Sequence, residues 1–132
     1  MEMTREVLER YCSNKAEIRE TQERLGVLAA DENMVGNDVI LDYQTGYPRP
    51  QAVVGFDFRK YGQSKSRMQN HIARLQAEND NIEEFIFGIP DSTTRRIFQL
   101  CYLDGKTQQQ VARRVHMHQS TVSRALEKFW EN

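Results

Sequence analysis

Apolar residues recur at helical spacing along most of this chain, and the stretches where that spacing fails divide it into parts. From Thr4 to about Leu28 there are helix formers, no proline, and apolar positions at Val7, Leu8, Tyr11, Ile18 and Leu25. This predicts one long, strongly charged helix with a thin apolar stripe. Between Asp31 and Gly62, "DENMVGNDVILDYQTGYPRPQAVVGFDFRKYG" is punctuated by Gly36, Gly46, Pro48, Pro50, Gly55 and Gly62, and a helix is not expected to persist through it. The runs "VILDY" and "AVVGF" read either as short strands or as apolar segments tucked against helices. The second is preferred, because two such short runs make a marginal sheet.

From Gln63 to Phe87, Met68, Ile72, Leu75, Asn79, Ile82 and Ile86 follow at alternating intervals of four and three residues. That is a heptad seam, and as an oligomerisation surface its polar member Asn79 would fix register and oligomer state. The same seam also suits an antiparallel hairpin with the first helix inside one chain, and two such hairpins can pair.

Gly88 to Pro90 stops this helix, and Asp91 or Ser92 is placed to cap the next. The stretch "TTRRIFQLCYLDG" puts Ile97, Leu100 and Cys101 on one face and ends at Gly105. Thr107 and Gln110 have capping-box spacing, starting a second helix with Val111, Ala112 and Val115 inside. Met117 falls in a tight connection, and a third helix from near Gln119 buries Val122, Ala125, Leu126 and Phe129. Small Ala112 allows a close crossing, and Val111, Val115, Met117, Val122 and Ala125 fall where that crossing needs apolar groups. These three helices form a helix-turn-helix unit. His116 stands where the turn usually has glycine, and histidine is among the residues enriched at positive φ.

The formal charge of −1 hides an asymmetry: residues 1–58 carry six Lys/Arg against eleven Asp/Glu, whereas residues 88–132 carry seven against four. A basic end on an acidic chain is the footprint of phosphate contact confined to one module. A length of 132 residues, 39% apolar and 28% charged, fits one soluble domain with one modest core rather than a large enzyme. Neither a secretory pattern nor an apolar run of spanning length is present, so neither export nor membrane insertion is expected. The two cysteines, Cys12 and Cys101, lack any Cys-x-x-Cys spacing and read as reduced packing residues in a cytoplasm.

With its apolar stripe inward, the third helix exposes Ser120, Ser123, Arg124 and Glu127, with His118 and Gln119 at the end that enters a major groove. Arg124 suits a bidentate contact to guanine and Gln119 one to adenine, while Ser120 and Ser123 are short enough to let the helix lie deep. The base-reading set is therefore His118, Gln119, Ser120, Ser123 and Arg124. Lys106, Arg113, Arg114 and Lys128 suit phosphate, as does the amide end of the helix that Thr107 caps. No residues stand at metal-ligand spacing, and neither a phosphate loop, a nucleophile elbow nor a catalytic carboxylate pair appears. The reading is a protein without catalytic residues, cofactor or metal.

The stretch "IPDSTTRRIFQLCYLDGKTQQQVARRVHMHQSTVSRALEK" resembles the C-terminal DNA-binding domain of bacterial sigma factors, with "YLDGKT" between helices and "STVSRAL" as the recognition helix. With a long helical region ahead of it, the chain is similar to phage and prophage regulators of the RinA/ArpU type, which control late-gene transcription. Nothing in it corresponds to the sigma region that binds core polymerase and melts promoter DNA. The resemblance implies a mainly α fold with two parts: residues 1–87, a coiled-coil-like hairpin or oligomerisation region with an irregular 31–62 connection, and residues 88–132, the DNA-binding helix-turn-helix. It implies double-stranded DNA and RNA polymerase as partners, a homo-oligomer, and a place in the cytoplasm of a bacterial host cell. Two other readings stay open: the DNA-recognition subunit of a phage packaging terminase, and a helical adaptor that binds only protein.

Overall fold

A computed structural model describes residues 2–44 and 58–131, and every regular element among them is helical. In chain order these are α1 (Arg5–Glu9), α2 (Tyr11–Gln44), α3 (Phe58–Phe87) and α4 (Ser92–Phe98), which runs on into a π-helical turn (Gln99–Leu103). Then come α5 (Gln108–Val115), α6 (Gln119–Lys128) and a closing 3₁₀ turn (Phe129–Glu131). Among the described residues no helix is long and apolar enough to cross a membrane. The chain divides into two compact units, Met1–Glu17 with Leu75–Asn132, and Ile18–Arg74.

Three expectations change. The first helix does begin at Thr4, whose hydroxyl accepts from the Val7 N–H at 3.3 Å, but it breaks at Arg10 before α2 starts. The expectation that helix fails from Asp31 onward does not hold, because α2 runs through Gly36 and "VILDY" to Gln44, and α3 already contains Gly62. An isolated glycine costs a helix only about 1 kcal/mol and removes no hydrogen bond, whereas proline does both clash and delete a donor. Pro48, Pro50 and "AVVGF" lie outside the described residues. Of the expected irregular 31–62 connection, residues 31–44 and 58–62 are helical.

The boundary at residue 88 also moves. One core collects Val7, Leu8 and Tyr11 from the N-terminal helices, Ile82 and Ile86 from α3, and Ile97, Phe98, Val111, Val122 and Leu126 from the helix-turn-helix. Ile82 and Ile86 are 0% exposed and Leu8 1%. The unit that carries the helix-turn-helix is thus closed by residues from both ends of the sequence.

Polar groups set the register of this closure. Asn79 Nδ2 donates to the Tyr11 carbonyl at 3.3 Å, and Asn14 Nδ2 donates to Asn79 Oδ1 at 2.8 Å and to Glu78 Oε1 at 2.9 Å. Arg10 grips the Glu78 carboxylate with two bonds of 2.9 Å each, and the Tyr11 hydroxyl donates to Glu83. These bonds tie residues 10–14 to residues 78–83 within one chain. Asn79, Ile82 and Ile86 are committed inside the chain, while Met68, Ile72 and Leu75 remain half-buried. Burial, aided by the hydrogen bond to the Glu83 carboxylate, pushes the Tyr11 hydroxyl up to about 12. The Arg10 hydrogen bond holds the Glu78 carboxyl below its ordinary value.

Leu8→Ala is expected to cost about 2–5 kcal/mol of stability. It should also shift the unfolding transition seen by fluorescence of Trp130, the single tryptophan; a Trp130 transition unmoved by this substitution would separate α1 from the helix-turn-helix core. Glu78→Gln tests the polar register. Because the folded carboxyl titrates below the unfolded one, its contribution is present above the unfolded value and disappears as pH falls through the folded value. The stability gap from wild type should be open at about pH 7 and narrow progressively as pH falls below the ordinary glutamate value, about 4.3, in chemical-denaturation titrations.

Candidate nucleic-acid interface

The helix-turn-helix is held by local devices written in its own sequence. Asp91 caps α4, accepting from the Thr94 N–H at 2.9 Å and from its hydroxyl at 2.8 Å, and these bonds hold its carboxyl below the ordinary range. Arg95 Nη1 donates to the Ile89 carbonyl at 2.7 Å and to the Pro90 carbonyl at 3.4 Å, tying the "GIP" turn to α4. At the far end the Asp104 N–H reaches back to the Gln99 carbonyl and the Lys106 N–H to the Leu100 carbonyl, each at 3.0 Å. Between them Gly105 sits at φ 70°, where a side chain is strained and an added Cβ would stand 3.2 Å from Cys12 Sγ.

The π-helical turn re-aims the inner face. Ile97 is buried as its spacing predicts, but Leu100 and Cys101 are only half-buried, and Phe98 and Tyr102 take the inner places. The wider turn at Gln99–Leu103 rotates the following residues away from an α-helical register. Phe98 then meets Tyr102 and Phe129 with ring centroids 5.3 and 4.8 Å apart, and Phe129 meets Trp130 at 5.1 Å. The aromatic spacing of Phe98 and Tyr102 was the available signal for this face.

Thr107 and Gln110 form the reciprocal capping box: the Gln110 N–H donates to Thr107 Oγ1 at 3.2 Å and the Thr107 N–H to Gln110 Oε1 at 3.0 Å. At the other end of α5, His116 adopts φ 58°, ψ 50°, and is the single positive-φ residue other than glycine among the described residues. The Met117 N–H closes the turn on the Ala112 carbonyl at 2.9 Å. Val111, Ala112 and Val115 are buried, as are Val122 and Leu126 of α6, while Ala125 and Phe129 are half-buried and Met117 is exposed. Met117 therefore does not join the crossing, because the left-handed turn before it directs the chain outward.

With Val122 and Leu126 inward, α6 presents Gln119, Ser120 and Arg124 to solvent, His118 just before them, and Ser123 half-buried on the same side. Four of the five base-reading candidates are thus exposed together. Thr121, which the sequence pattern did not single out, is also exposed, one turn before Arg124. Arg113 and Arg114 are exposed in the last turn of α5, and Lys106 is half-buried beside the start of that helix. Thr107 is exposed, but its hydroxyl oxygen already accepts the Gln110 N–H. Lys128 lies at the far end of α6, about 14 Å along the axis from Gln119 at helical rise. Among the described residues none of the side chains of Lys106, Arg113, Arg114, Arg124 and Lys128 has an ion pair or hydrogen-bond partner, in contrast to Arg10 with Glu78 and Arg5 with Glu9. No group of three or more His, Cys, Asp or Glu among the described residues is gathered to hold a metal ion.

Residues 91–128 match the family described as Sigma-70, region 4, from the N-cap of α4 to the last residue of α6. No curated protein and no solved structure matches the chain.

On a duplex selected from random sequence, Arg124→Ala should cost about 1–3 kcal/mol of binding and much less on unrelated DNA. Lys128→Ala should weaken both similarly and lower the slope of log affinity against log salt by about 1. Equal losses from the two substitutions on both DNAs would remove Arg124 from the reading surface.

Proposed function

We propose that this chain is a sequence-specific DNA-binding transcriptional regulator of phage or prophage late genes, acting without catalysis. The observation that carries the proposal is a helix-turn-helix whose outward cations have no acid paired with them among the described residues. Unpaired guanidinium and ammonium groups around a polar helix face complement a phosphate backbone, while short side chains at Ser120 and Ser123 allow approach to base edges. The similarity of residues 91–128 to a sigma-factor region supports promoter DNA as the target. His118, Gln119, Ser120, Ser123 and Arg124 read bases in this proposal, and Lys106, Thr107, Arg113, Arg114 and Lys128 hold phosphates.

RNA polymerase is the proposed protein partner, and Arg96, exposed and unpartnered on α4, is the side chain offered to it, since Arg95 is spent on the Ile89 and Pro90 carbonyls. Association with a second copy falls to Met68, Ile72 and Leu75, the part of the heptad seam left half-buried in the single chain.

In vitro transcription tests the proposal. Added to RNA polymerase, the full chain should change transcript yield from promoters whose upstream DNA it protects, and Arg124→Ala should abolish the change. A flat response on every phage promoter, with ring-shaped oligomers and stimulation of a partner ATPase, would identify a packaging subunit instead.

A further inference from the structure

Met117 departs from the apolar pattern of its neighbours. Val111, Ala112, Val115, Val122 and Leu126 turn inward, but Met117 keeps 37% of its surface exposed. Its backbone is fixed on both sides. The residue before it is locked in the left-handed region, its own N–H is tied to the Ala112 carbonyl, and the residue after it is the extended N-cap of α6. The flanking His116 and His118 are exposed and without a partner among the described residues, and Arg113 and Arg114 occupy the preceding turn. A thioether chain therefore stands at the leading end of α6 among polar and cationic groups.

Neither phosphate nor water compensates for exposed apolar surface at that position. Of the groups that a duplex presents in its major groove, the apolar one is the thymine C5-methyl. We infer that Met117 packs on a thymine C5-methyl beside the N-terminus of α6 and so determines specificity at one base pair. The inference rests on the DNA-reading function proposed above and adds to it a residue outside the polar reading set. It also assigns that residue a chemistry, removal of a methyl group from water, that the hydrogen-bonding side chains of α6 do not supply.

The test uses the full chain and a duplex selected by it from random sequence. Each thymine in the selected site is replaced in turn by deoxyuridine, which removes the methyl and leaves base pairing intact. One position should lose about fourfold in affinity, the value of burying one methyl group. Placing cytosine and then 5-methylcytosine at that position should show the same factor between them, because the methyl occupies the same place. Met117→Gln, which keeps the length of the side chain, should erase both factors; Met117→Leu should keep them. If the wild type selects a site in which no thymine responds, or if Met117→Gln still responds, the inference is overturned. If the wild type selects no site at all, the DNA-reading function fails, and the role of Met117 with it.

Discussion

The position of α6 depends on a core that reaches well beyond its own neighbourhood. Three short helices and a turn bury little apolar surface to set against conformational entropy. Here the deficit is met by Val7, Leu8 and Tyr11 from one end of the sequence and Ile82 and Ile86 from its middle, all packed with Phe98, Val111, Val122 and Leu126. α6 stays fixed because Val122 and Leu126 have these partners beneath them. Its outward residues can then be short and polar, since none of them is needed for packing.

An apolar core of this kind tolerates sliding between helices, and the polar groups remove that freedom. Asn79 can satisfy its amide only when it lies opposite both Asn14 and the Tyr11 carbonyl. Arg10 can engage Glu78 bidentately only in the same alignment. A shift by one helical turn would leave a buried amide unsatisfied, at about 1–3 kcal/mol. The division of roles follows: apolar residues supply the stability, and the short polar ladder chooses a single register for it.

Much of the helix-turn-helix was legible because its signals are local. The capping box of Thr107 and Gln110, the positive φ at His116, the inner positions of α5 and the outward set on α6 all follow from residues within one or two turns of each other. What escaped the sequence depends on distant partners or on balances of small terms. Nothing near Val7 and Leu8 says that their cover lies in the C-terminal helices. The π-helical turn at Gln99–Leu103 exchanges Leu100 and Cys101 for Phe98 and Tyr102 because an aromatic cluster with Phe129 rewards the distortion. Gly36 and Gly62 cost too little to break α2 and α3, and the Asn79 amide finds its partners on the same chain's α2.

The shared core also sets the order in which the protein can be made. Leu126 leaves the ribosome 118 residues after Leu8, its partner in the same core. Contacts at that sequence separation close more slowly than the local contacts within each helix. The intervening helices can form as they emerge, yet the surface that α6 presents cannot be assembled co-translationally from the N-terminus onward. Until synthesis passes Leu126, Val7 and Leu8 have only part of their core around them, and a nascent chain stalled before that point would leave the inner side of α6 unfinished.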